Sequence, residues 1–514
     1  MTVADLVVDR SVARYHLRRA QLEQRGRLDS ILGTLFRDSP QLLSSLQVGA
    51  DEEICIRSLE VTVRIRLDSS DSTLTGCWSA AIAEAVGRRL AWLADGKRST
   101  NVVRYASRRE AVLDLVRSIS AGNREHAWAW KQLGLIRRSS PFGAELIVEA
   151  LTSQPRLIVP VLIELARSEG IAGINRLLSG ADYWTLAVAA LTTAGVTRLP
   201  QELQSTVPSL RGRERAMRLA RRSRIWLALE TRHPERLVSD RHPAAIGILA
   251  VLETEPGLLM YDPARGFDVV SALAELSLQG PAPDTAAPQE MSSGVTDVAG
   301  QPAGGGRQGA GQHEVKSGAN HGMDRPAQGA IDDGTGAEQP AHGEKASKPP
   351  GYHTEWGGLL FFLRLFDRLG LPEIAVTDGI LGGRTLEWIL HRLAISLIPA
   401  ALDDAAVLAF AGLPPGSPPP EMEREPDVDE LEALSLFRAR LVDELRDVLE
   451  RRLDDEAELL AEVTRREALI EGGPGWLVAH LPLATVSTDL RRAGLDLDPG
   501  YLPWLGLVIR FAYE

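Results

Sequence analysis

SRREAVLDLVRSIS, residues 107–120, is the stretch from which the fold class is read. Ser107 with Glu110 three residues on forms a capping-box pattern, which satisfies free amides at a helix start. Val112, Leu113, Leu115, Val116 and Ile119 follow at helical spacing and give that helix an apolar side. The same pattern continues downstream, predicting helices over 143–152, 156–168, 171–178, 182–195, 213–230, 243–253 and 267–278. Short helices punctuated by Pro and Gly imply stacked hairpins across residues 101–280, although no fixed period marks a repeat family.

Upstream, residues 1–100 read as an α+β unit. Asp5 to Asp9 is a short strand candidate, and Val12 to Phe36 carries a helical stripe of Leu17, Leu22, Leu28, Ile31, Leu32 and Leu35. Leu59, Val61, Val63, Ile65 and Leu67 alternate with Glu60, Thr62, Arg64 and Arg66, which predicts a strand with one apolar and one wet face. Ile54 and Ile56 are out of phase with that set, so a bulge is expected near Arg57 and Ser58. A helix over Leu74 to Leu93 completes a strand, helix, strand, helix order.

Downstream, residues 281–351 are Gly, Pro, Ala, Gln, Ser and Asp with almost no aromatic or branched apolar side chains. Such a segment buries too little surface to offset its conformational entropy and is expected to be a disordered linker. As a flexible coil its ends would average roughly 45 Å apart. Residues 352–413 form an apolar helical unit, with helices at Glu355 to Leu369, Thr385 to Ile398 and Asp403 to Ala411. A Pro-rich linker at 414–426 precedes one long amphipathic helix over 427–471, and residues 472–514 form a C-terminal α+β motif with two strands. The fold class expected is therefore mainly α, with small α+β units at both termini and helical hairpin arrays separated by a disordered linker.

With 514 residues and 44% hydrophobic content, the chain can fill two to four domains. A net charge of -12 argues against a phosphate backbone as the main partner, so nucleic acid is not expected. Cys55 and Cys77 are the only cysteines, read as two buried free thiols in a reducing compartment. The longest uncharged apolar run, Trp184 to Val196, falls short of the roughly 18 residues of a membrane span. No membrane span and a cytoplasmic location are the expectation.

A search for chemistry returns no catalytic, cofactor-binding or metal-binding candidate. Gly304, Gly306 and Gly309 satisfy G-x-G-x-x-G, but inside the Gly/Pro-rich segment, with no strand before and no helix after. His313, His321 and His342 have no rigid ligand spacing, and Asp496 and Asp498 before Gly500 read as a turn, because the twelfth position of a calcium loop would be Leu507. Arg211, Arg213, Arg215, Arg218, Arg221, Arg222 and Arg224 cluster on one helix, fit for a solvated face, for carboxylates within the chain, or for an acidic partner. Trp128 and Trp130, two apart on a helix, face different sides and suit two packing surfaces better than one base-stacking platform.

EEICIRSLEVTVRI at 52–65, YASRREAVLDLVRSISAGNREHAWAWKQL at 105–133, WGGLLFFLRLFDRLGLP at 356–372 with the helices that follow it, and RRAGLDLDPGYLPWLGLVIRFAYE at 491–514 together resemble the tape measure proteins of contractile injection systems, the phage-tail-like particles. Ala411 and Gly412 stand where a Cys-Gly pair is expected, the strand ends in RIRLD without a following glycine, and the chain is short for a molecular ruler. The resemblance implies a non-enzymatic assembly protein that sits in the inner tube, sets tube and sheath length, and needs no cofactor. It implies tube, baseplate or cap proteins as partners and allows a homo-oligomer. An assembly or packing helix of Trp356, Leu359, Leu360, Phe361, Leu363, Phe366 and Leu369 is expected, together with a C-terminal motif of Gly494, Leu495, Asp496, Pro499, Gly500 and Trp504. The alternative is an adaptor or chaperone that docks baseplate or cargo proteins without setting length.

Overall fold

In the computed structural model, the Ser107 hydroxyl accepts from the Glu110 amide at 3.3 Å and opens the helix Arg108–Ser120. Glu110 reaches back to the amide of Ala106, one residue before the cap, at 2.5 Å. Ala111, Val112, Leu115, Val116 and Ile119 are buried, as the spacing predicts. The structure describes residues 8, 11–37, 51–94, 101–137, 142–168, 170–196, 207–230, 241–279, 350–420, 425–451 and 455–513. All but Val8 of the strand expected at Asp5 to Asp9, and nearly all of the Gly/Pro-rich linker, lie outside these residues.

The chain is mainly helical. Helices Ala144–Ser153, Ile158–Arg167, Gly170–Leu177, Gly180–Thr193, Leu210–Arg222, Arg224–Glu230, Arg241–Thr254 and Pro263–Gln279 stack around one apolar core. Leu146, Ile147, Leu162, Leu165, Leu186, Ile248, Leu249 and Leu273 are fully buried in it. The single helix expected over 213–230 is broken at Ser223, whose hydroxyl bonds the Trp226 amide at 3.0 Å and the Glu253 carboxylate at 2.5 Å. Two further short helices are Ala127–Gln132, which carries Trp128 and Trp130, and Pro256–Tyr261, which was not expected.

The N-terminal unit departs from the predicted order. Strand β1 is Glu53–Ile56, pairing antiparallel with β2, Val102–Tyr105. Residues 59–67 keep the predicted alternation, odd positions half-buried and even positions exposed, yet form no ladder among the described residues. Val63, Ile65 and Leu67 lie on a small core of Leu28, Ile31, Leu35, Leu74 and Trp78 from the helices Arg25–Arg37 and Asp71–Ala94. Period two specifies which side chains face a core; it does not supply a neighbour for the backbone. Cys55 is buried, but Cys77 is exposed, so the reading of two buried thiols holds for one of them.

The expected helix over 427–471 is two helices, Val428–Val448 and Glu456–Thr464, and its last residues enter a strand. Glu450 has φ 57°, and the Arg451 amide bonds the Arg446 carbonyl at 2.9 Å. That bond closes a left-handed helix stop, here without the usual glycine. The apolar stripe continues past the break, which is why periodicity alone reads through it.

The C-terminal sheet runs in the order β3, β4, β5, β7, β6, where β3 is Tyr352–Thr354, β4 Ala468–Gly473, β5 Trp476–Leu481, β6 Gly500–Leu502 and β7 Leu507–Tyr513. All neighbours are antiparallel except β5 and β7. Pro372 sits in the first turn of a further helix, Leu371–Thr377, where its missing amide costs nothing. Residues before and after the linker pack into one contact unit, with Met260 and Tyr261 touching both the helical core and the C-terminal core.

Candidate functional site

The apolar segment expected to pack or dock begins as a 3-10 turn, Gly357–Phe361, and continues as the helix Phe362–Arg368. Leu359, Leu360, Phe361, Phe362, Leu363 and Phe366 are fully buried, while Trp356 and Leu369 are half-buried. A stretch apolar on every side needs partners on every side. Here the strands and the helices Leu386–Leu397, Ala405–Phe410 and Val428–Val448 supply them. Gly357 and Gly358 permit the approach, because a Cβ on Gly358 would collide with the Val463 carbonyl oxygen.

The C-terminal motif closes over this segment. Phe511 meets Phe361 edge-on at 5.2 Å between ring centroids, and Trp504 tilts against Phe366 at 5.7 Å. The Trp504 indole donates to Asp367 at 2.7 Å. Leu495 is buried, and Gly494 and Gly500 take φ of 69° and 74°, the left-handed backbone that glycine adopts without strain. The Asp496 carbonyl accepts from the Tyr513 hydroxyl at 2.6 Å, and Asp498 accepts from the Phe511 amide at 2.6 Å. Both aspartates thus tie this segment to β7. Pro499 lies half-buried between them and β6.

A second cluster lies within residues 105–133. One oxygen of Asp114 accepts from the Tyr105 hydroxyl at 2.7 Å, the Trp130 indole at 3.0 Å and His126 Nδ1 at 3.0 Å. Burial pushes the Asp114 carboxyl up, but the hydrogen bonds from His126, Tyr105 and Trp130 together hold it below the usual carboxylate range. The bond to Asp114 raises the His126 pKa, outweighing burial. Tyr105 is pushed up by burial and by the neighbouring Asp114 charge. Trp130 is buried and Trp128 half-buried, facing different surfaces. Cys55, with its thiol pushed up to about 12 by burial, lies 3.8 Å from the Ala129 carbonyl. The group is a satisfied polar anchor between β2 and two helices.

Three of the seven arginines in the cluster pair with carboxylates within the chain. Arg215 is buried against Glu255 at 2.5 Å, and Arg213 meets Glu275 at 3.1 Å. Arg215 also donates to the carbonyls of Gly382 at 3.0 Å and Arg384 at 3.4 Å, and Arg222 pairs with Glu387, so this helix clasps the C-terminal half. Arg384 in turn forks onto Glu430, with both bonds at 2.8 Å. Burial pushes Glu387 up against the opposing effect of Arg222. Arg211, Arg218, Arg221 and Arg224 form no ion pair among the described residues. Further contacts across the halves are Arg109 to the Pro474 carbonyl at 2.8 Å and Arg156 over the Tyr501 ring at 4.9 Å.

Asp114, Tyr105, Glu255, Glu387 and Glu430 were not singled out by sequence. A carboxylate standing inside the run VLDLV was the available signal for Asp114. The partners of the arginines carried none, being 40 to 169 positions away. No group of three or more His, Cys, Asp or Glu side chains placed to hold a metal occurs among the described residues. Nor is any single helix among them long and apolar enough to cross a membrane; one bent pair, Ala144–Ser153 with Pro155–Arg167, passes only when its 106° bend is ignored. No family model, curated protein or solved structure matches the chain.

Proposed function

We propose that this chain is a structural assembly protein of a contractile injection particle, acting as its tape measure proteins do and without an enzymatic step. The supporting observation is that the four segments carrying the resemblance pair off in space. The first and second meet through β1, β2 and the Gln132 side chain, which donates to the Ile56 carbonyl at 3.3 Å. The third and fourth meet through Phe361, Phe511, Phe366 and Trp504, across more than a hundred residues. Segments that share a core have to be kept together for the fold, which suits a body built to be docked. Tube, baseplate or cap proteins are the proposed partners.

Length measurement in this reading cannot use a continuous helix over 427–471, because the chain turns at Glu450. It would draw on residues 281–349. The residues on either side of that segment belong to one folded body, held closed by Arg215 and Arg222. The closure favours the second reading, an adaptor that docks baseplate or cargo proteins without setting length. Lengthening residues 281–349 in the producing cell and imaging the particles separates the two. Longer particles support the ruler. Particles of unchanged length, together with normal-length empty particles on gene deletion, support the adaptor. Particles unaffected in number, length and contents by deletion would overturn both.

A further inference from the structure

We infer that residues 59–67 are a self-complementary β-edge through which two copies of this chain pair antiparallel about a two-fold axis at Val63. The proposal is independent of the particle reading above. The segment is held at both ends. The Arg57 amide bonds the Asn101 carbonyl at 2.8 Å and Gln132 holds the Ile56 carbonyl. Arg27 donates to the carbonyls of Leu67 at 3.0 Å and Ser69 at 2.7 Å. Between these clamps, the amides of Ser58 to Arg66 have no protein partner among the described residues. One side is seated on the helices Arg25–Arg37 and Asp71–Ala94 through Val63, Ile65 and Leu67. A segment clamped at both ends, with the amides of Ser58 to Arg66 unpaired among the described residues, is a template for another strand and has already lost part of the entropy that pairing would cost.

The side chains say which strand fits. Antiparallel pairing about Val63 sets Leu59 opposite Leu67 and Val61 opposite Ile65 on the seated side. On the wet side it sets Glu60 opposite Arg66 and Thr62 opposite Arg64, each twice by symmetry. A slip by one residue puts apolar side chains opposite charged ones. Moving the axis to Arg64 places that arginine against itself and Glu60 against Asp68. Glu60 and Arg64 form no ion pair among the described residues, and Arg66 meets only Asp68, 3.1 Å away with both side chains largely in solvent. The polar side is therefore free to exchange these contacts for cross-strand ones. The helices of both copies would then lie on the same side of a continuous ribbon.

The test uses the full chain and charge exchange at exposed positions. Sedimentation equilibrium of the unchanged protein is expected to give a dimer. Glu60→Arg or Arg66→Glu alone should each weaken the dimer roughly tenfold, since two symmetry-related attractions become repulsions. An equimolar mixture of the two variants, or the double variant carrying both changes, should restore it. Hydrogen exchange of alternate amides within residues 58–66 should slow only at concentrations where the dimer forms. A monomeric parent protein, a dimer indifferent to both changes, a mixture that fails to pair, or protection of these amides in the monomer by another part of the chain would each overturn the proposal.

Discussion

Asp114 is the side chain whose loss should be felt most widely in the N-terminal half, because three donors converge on one of its oxygens. Asp114→Asn leaves at least one buried donor without its acceptor and should cost about 1–3 kcal/mol in chemical denaturation. The pair also sets a pH dependence. His126 has a folded pKa above its unfolded value of about 6.5, so its stabilising effect is complete below that value and is lost as pH rises through the folded pKa. Asp114 runs the other way: its effect is present above an unfolded pKa of about 3.9 and is lost as pH falls through the folded one. The stability difference between the parent protein and His126→Ala should therefore be larger at pH 6 than at pH 9 in paired urea titrations. Arg215 and Glu255 make a sharper case, being nearly inaccessible to water. Arg215→Met alone should cost about 3–5 kcal/mol by stranding a buried carboxylate, and Arg215→Met with Glu255→Leu should recover most of that loss. Unfolding titrations of the single and double variants decide the point.

Helices were the readable elements because a 3.6-residue stripe is a local signal. The helix Arg108–Ser120 announced its cap and its apolar face within fourteen letters. What the sequence did not disclose were events decided elsewhere in space. Residues 59–67 alternate like a strand, and their seated face is where alternation puts it, but a ladder also needs a neighbouring backbone. The turn at Glu450 was hidden because a glutamate stands where a glycine would have marked the stop. Glu450→Gly should therefore stabilise the protein by about 1 kcal/mol, read as a raised melting temperature, since glycine relieves the left-handed backbone. The packed segment around Phe361 and Phe366 was legible as fully apolar; that its cover comes from residues 491–514 was not, because nothing local points across that distance.

The whole molecule is two sequence halves that share a junction. Arg215, Arg222, Arg109 and Arg156 each reach from the first half onto backbone or side chains of the second. A protease site placed within residues 281–349 should then yield two fragments that co-elute in size-exclusion chromatography after cutting. Fragments that separate would mean that the junction does not hold without the covalent link. The junction also has a consequence in time. Arg215 emerges from the ribosome 167 residues ahead of the Gly382 carbonyl that receives it. At about 5–20 residues per second that is a wait of roughly 10–30 s. Throughout it, the charged and apolar surface of the first half stands open. A newborn chain must either be shielded during that interval or be synthesised slowly enough, and sparsely enough, that its own second half arrives before a neighbour's does.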